Sequence, residues 1–66
     1  MPKESKENLI KYFNDLYLIE KQARDLYNTF LKEIKDKETR KTIISIRNDE
    51  IKHMRIVKDI LKLIKG

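Results

Sequence analysis

Apolar residues recur at alternating steps of four and three through the first half of the chain: Leu9, Phe13, Leu16, then Ala23, Tyr27, Phe30 and Ile34. That spacing is the seam of a helix packed against other helices. The second half repeats it at Ile43, Ile46, Val57, Ile60 and Ile64. The pattern lapses only at Lys35-Asp36-Lys37-Glu38-Thr39-Arg40, and no helix breaker stands between Pro2 and Gly66. The sequence therefore predicts two long helices, about 5–35 and about 37–64, joined by a very short turn. Ser5, just after Pro2, fits an N-cap with Glu7 in the first turn; Asp36 fits the second cap, with Glu38 near that helix's positive end. A connection this short makes the helices antiparallel neighbours, so the expected fold class is all-α, a helical hairpin forming one domain over 1–66.

Both seams have gaps, and the gaps are ionisable. Position 20 holds Glu20, and positions 50 and 53 hold Glu50 and His53. An unpaired carboxylate in a helical seam costs several kcal/mol or takes up a proton. Glu20 lies about fifteen residues before the turn, and Glu50 and His53 about fifteen and seventeen after it, so all three fall within about one helical turn of the same depth. Glu50 and His53, three apart, also share a helix face. Two carboxylates and an imidazole brought to one depth are the makings of a cation site. Taken singly, Glu20 reads as a snorkelled seam carboxylate and His53 as a hydrogen-bonded interior histidine; the joint placement favours ligation.

One hairpin cannot enclose such a site, and its apolar surface is too wide for a single seam. Tyr12, Ile19 and Leu26 flank the first seam on one side and Ile10, Tyr17 and Leu31 on the other; Ile44, Ile51, Met54, Ile56, Leu61 and Leu63 widen the second. Surface of that extent predicts association. Pairing two hairpins about a two-fold axis gives a four-helix bundle holding four Glu and two His. A Glu from each of two helices, with a Glu-x-x-His pair from each of the others, is the ligand set of ferritin-like di-iron and di-manganese sites. Phe13, Phe30 and Met54 are read as core or interface filler, and Asp15, Asp25 and Asp49 as solvated.

Glu20, followed thirty residues later by Glu50-Ile51-Lys52-His53, resembles the encapsulated ferritins, two-helix relatives of ferritin and rubrerythrin. Ile19-Glu20 with Ala23, Asp25 and Tyr27 is similar to the metal-site stretch of that family's first helix, and Asn48-Asp49-Glu50 leading to His53 and Met54 to that of its second. The resemblance covers roughly 16–60. It implies a ferroxidase: Fe(II) oxidised to Fe(III) by dioxygen at a di-iron site assembled across a subunit interface, in iron detoxification or storage. It also implies a homodimer at minimum, rings of dimers, and an encapsulin shell as partner and location. Two features depart from the family. Ile19 and Gln22 stand where its iron-entry carboxylates flank the first-helix ligand, and no shell-targeting extension follows Gly66, as in a shortened chain or a free-standing relative.

In the paired hairpins Glu50 is expected to bridge the metals, Glu20 to be terminal or semi-bridging, and His53 to give each metal one nitrogen. Tyr27, two turns from Glu20 on the same face, is expected to pack in the core or to hydrogen-bond a ligand carboxylate. Carboxylate and imidazole donors also suit Mn(II) or Zn(II) as substitutes. A non-catalytic metal-binding module, or a coiled coil whose polar seam residues fix register, are the competing readings.

Composition removes other classes. The chain has 66 residues and no cysteine, so disulfides, thiolate sites and thiol nucleophiles are excluded. No run of about 18 apolar residues predicts a membrane span, and the start lacks a signal-peptide core; the expected location is cytoplasmic. Charged residues make up 41% of the chain, with a net charge of +5. The basic residues are spread along both halves beside acidic ones, as in Glu7 with Lys11 and Asp36 with Arg40, which reads as an ion-paired helix surface. Lys58, Lys62 and Lys65 suit a helix C-terminus. No aromatic-basic interleaving or nucleic-acid motif occurs, so neither nucleic acid nor membrane is the expected partner.

Overall fold

The computed structural model describes residues 3–66, with side chains from residue 5 onward; Pro2 lies outside the described residues. Two helices account for nearly all of them: α1, Lys3–Glu33, and α2, Lys37–Lys65. They form an antiparallel hairpin about 51 Å long and 14 × 13 Å across, as the short connection required. No helix of the described residues is long and apolar enough to cross a membrane.

The ends differ from expectation where stronger partners are present. Ser5 is not a cap, because α1 begins at Lys3 and already includes it; Lys3 and Glu4 are good helix formers with nothing to stop them. The C-terminus of α1 falls at Glu33 rather than near 35. Arg40, the residue expected to pair with Asp36, instead donates Nη1 to the carbonyl of Leu31 and, at 3.0 Å, to that of Ile34. It thus takes carbonyls that one more helical turn would have used. Asp36 caps α2 as expected: its Oδ2 accepts from the Thr39 amide at 2.9 Å and the Thr39 hydroxyl at 2.6 Å. α2 closes on Gly66, whose amide donates to Lys62 O at 3.1 Å with φ +83, a backbone state that suits glycine alone.

The helices meet along a seam shifted from the predicted one. Residues 10, 13, 17, 20, 24, 27, 31 and 34 of the first half, and 40, 43, 47, 50, 54, 57, 61 and 64 of the second, are all buried or half-buried. Met54, Val57 and Leu61 are the buried ones, at 7%, 4% and 9% exposure. Ile46, His53 and Phe30, predicted to be seam residues, are exposed, and Ile60 is only half-buried. The two candidate stripes share 13, 20, 27, 34, 43, 50, 57 and 64. They differ in setting Arg47, Met54 and Leu61 against Ile46, His53 and Ile60. Burying Met54 in place of the His53 imidazole removes more apolar area from water, which favours this rotation of α2 although it sets Arg47 in the seam in place of Ile46.

That rotation carries Arg47 into the seam. Its Nη1 donates to Asn28 Oδ1 at 3.2 Å and its Nη2 to Asn48 Oδ1 at 3.3 Å, while Nε is buried with no partner. A buried donor left unmade costs about 1–3 kcal/mol. Arg47→Met keeps the length of the side chain and removes the orphan. It is expected to leave stability unchanged or raise it by about 1 kcal/mol, and thermal unfolding of the two proteins side by side is the check.

Candidate metal centre

The seam places Glu20 of α1 and Glu50 of α2 opposite one another, and His53 one turn further along α2. Each offers a donor atom, and the three atoms lie within 4.8 Å of one another. His53 Nδ1 stands 3.4 Å from Glu20 Oε2. The Glu20 side chain is 17% exposed and that of His53 54%. The cluster is therefore walled by the seam on one side and open on the other. All three predicted ligands are brought together.

Electrostatics mark the pair. Glu50 holds its proton above the usual carboxylate range, first because it hydrogen-bonds Glu20, then because burial disfavours its charge, then through repulsion by Glu20; His53 works in the opposite direction. Asp36 is held below its usual range by the Thr39 hydroxyl and amide. Linkage turns these into opposite pH effects. For Glu50 the folded value is raised, so the stabilisation is complete below the ordinary 4.5 and is lost as pH rises through the folded value. For Asp36 the folded value is lowered, so the stabilisation is present above 3.8 and is lost on further acidification. Both contributions are present together only between those two pH values, and loss of the Glu50 contribution toward neutral pH is expected to be absent in Glu50→Gln. Circular dichroism melts across pH, with and without Zn(II), test this. Bound cation favours the ionised carboxylates and should reverse the upper limb.

Tyr27 is not drawn into the cluster. Its ring lies edge-on to Phe30 at 6.3 Å, and no hydrogen bond from its hydroxyl to either carboxylate occurs among the described residues. The sequence reading missed Arg47 and Arg24 as seam residues. The signal was available in the alternative stripe 10, 17, 24, 31 and 47, 54, 61, which is as regular as the one chosen.

His53 opens onto a broad apolar side. The positions one before each seam residue are 9, 12, 16, 19, 23, 26, 30 and 33, then 39, 42, 46, 49, 53, 56, 60 and 63. One step back turns about 100° around each axis. Because the helices run in opposite directions, both steps lead to the same side of the hairpin. Tyr12, Ile19, Leu26, Phe30, Ile56 and Leu63 lie there, exposed by 60, 60, 52, 39, 54 and 81%. Compared with protein families, curated proteins and solved structures, the chain finds no match.

Proposed function

We propose that the protein is a ferroxidase acting as a homodimer, its two hairpins paired through their apolar sides into a ferritin-like four-helix bundle. The observation that carries this reading is the Glu20–Glu50–His53 cluster, compact to 4.8 Å and opening on the side that a second copy would cover. A two-fold axis through that side brings two such clusters face to face, the ligand set of a di-iron carboxylate site. The donors fit Fe(II), with Mn(II) or Zn(II) as substitutes. Four carboxylates balance the charge of two ferrous ions.

Iron is the substrate: two Fe(II) each give one electron to dioxygen, which takes two protons and leaves as hydrogen peroxide. The protein's part is to hold and to neutralise. Glu20 and Glu50 supply the negative charge that favours the ferric product, and His53 supplies nitrogen. Cation binding favours the ionised form of Glu50 and offsets its repulsion by Glu20. Covering the open side excludes bulk water and strengthens each of these interactions. The resemblance to encapsulated ferritins points the same way, extends to rings and a shell, and suits a cytoplasm where Fe(II) is found. A register-setting coiled coil is the second reading, favoured by His53 Nδ1 standing 3.4 Å from Glu20 Oε2, a polar pair across the two helices that needs no cation. Oxygen uptake on anaerobic loading with Fe(II) followed by air separates the two. The ferroxidase consumes oxygen in proportion to iron, and a structural coiled coil leaves it at the buffer rate.

A further inference from the structure

The helical register sorts charge as well as apolar surface. The positions one after each seam residue are 11, 14, 18, 21, 25, 28, 32 and 35, then 41, 44, 48, 51, 55, 58, 62 and 65. They turn to the side opposite the apolar one. Of these sixteen positions nine are Lys or Arg, eight of them on the helices and Lys35 in the turn, and one, Asp25, is acidic. The sixteen positions on the apolar side carry no Lys or Arg and two acids, Glu33 and Asp49. All nine basic residues are exposed. The ion pairing expected from the linear sequence is sparse: among the described residues only Lys11 of the nine has a carboxylate partner, Asp15 at 2.8 Å.

We propose that this basic side binds the phosphate backbone of duplex nucleic acid without reading its sequence. Three observations select this partner. The charges run from Lys35 and Lys41 beside the turn to Lys11 and Lys65 at the far end. That is about 36 Å of helix axis, close to one turn of duplex. The far end holds a depression of about 380 Å³ lined by Asn14, Tyr17, Lys58, Leu61, Lys62 and Lys65, with Lys58 Nζ 5.8 Å from the Tyr17 ring centre. Three ammonium groups around an amide and a phenol form a seat for a phosphate. Finally, seven of the nine exposed large apolar side chains, both exposed aromatic rings Tyr12 and Phe30 among them, are on the other side, and only Leu18 and Ile51 are on this one. Single strands are held on stacking platforms, and membrane surfaces by a broad apolar stripe flanked with basic residues on the same helix face; here the basic side has no exposed aromatic ring in its sixteen positions and only Leu18 and Ile51 as exposed large apolar residues. This proposal does not depend on the ferroxidase reading, and its test needs no iron.

The test is fluorescence anisotropy with two labelled 20-base-pair DNA duplexes of unrelated sequence, between about 50 and 200 mM salt. Both duplexes are expected to bind equally, with affinity falling about 1,000-fold over that range, as for about six phosphate contacts. The double reversal Lys58→Glu, Lys62→Glu is expected to weaken binding at least about tenfold and to flatten the salt slope by about 2. Lys52→Glu, on the outer face of α2, should leave the slope as it is. The proposal is overturned by absence of binding at the lowest salt, by equal losses in the double reversal and Lys52→Glu, or by tighter binding to phosphatidylserine vesicles than to duplex.

Discussion

Glu50→Ala and His53→Ala are each expected to stop rapid oxidation of Fe(II). Oxygen uptake should fall at least about 100-fold, the upper end of what removing even a supporting group from a metal site costs. The two losses differ in kind. His53→Ala removes the sole nitrogen from the cluster, so iron is held by carboxylates alone. Glu50→Ala removes half the carboxylate charge, and metal occupancy should fall further. Glu20→Ala should impair turnover as well, and all three variants should still fold, because removing a seam carboxylate relieves a buried polar contact and His53 is exposed at the edge of the seam. Tyr27→Phe is expected to keep the metals and to change the rate by about tenfold at most, consistent with a ring packed on Phe30. Oxygen electrode traces for the four variants beside the parent, with iron content measured on the same samples, decide the matter. Parent-like rates in Glu50→Ala and His53→Ala would hand the seam to the coiled-coil reading.

Ile19→Lys is expected to abolish self-association and iron oxidation together. Ile19 is 60% exposed on the apolar side, next in sequence to Glu20. Burying an isoleucine in an interface stabilises it by about 2 kcal/mol, and a two-fold axis counts the position twice. Replacing both copies with an ammonium therefore removes at least about 4 kcal/mol, or roughly a 1,000-fold loss in dimer affinity. Leu18→Lys is the matched control: Leu18 is 54% exposed, but on the basic side. Sedimentation should give a monomer for Ile19→Lys and parental mass for Leu18→Lys. Loss of oxidation in Ile19→Lys, with Glu20, Glu50 and His53 intact, would tie the chemistry to the pairing. A parent protein sedimenting as a monomer with metal present would refute the dimer.

The hairpin, its turn and the Asp36 cap were legible in the sequence because each rests on local chemistry: a helical period, a gap in it, and an aspartate three residues before Thr39. The depth of Glu20, Glu50 and His53 followed from counting residues to the turn. The rotation of α2 did not follow. Both of its stripes are regular, and the choice depends on how much area Met54 and Leu61 bury against α1, a property of two helices together. The same rotation moved His53 from the seam to its edge and set Arg47, which the sequence period did not single out, within it. Pairing by sequence spacing failed for a related reason. Lys11 had two acids within reach and took Asp15 rather than Glu7, and Arg40 found backbone carbonyls better placed than Asp36.

The turn at 34–36 acts as the pivot of a long lever. Glu20 and Glu50 each stand about fifteen residues from it, an arm of about 22 Å. A tilt of only about 5° between the helices would move one carboxylate past the other by about 2 Å, enough to turn a compact cluster into separate side chains. The Arg40 clamp on the last carbonyls of α1 and the Asp36 cap on the first turn of α2 hold that angle from both sides. Residues far from the cluster thus set the tolerance to which Glu20, Glu50 and His53 are brought together, and wear at the pivot would register first as a spread cluster and only later as lost helix.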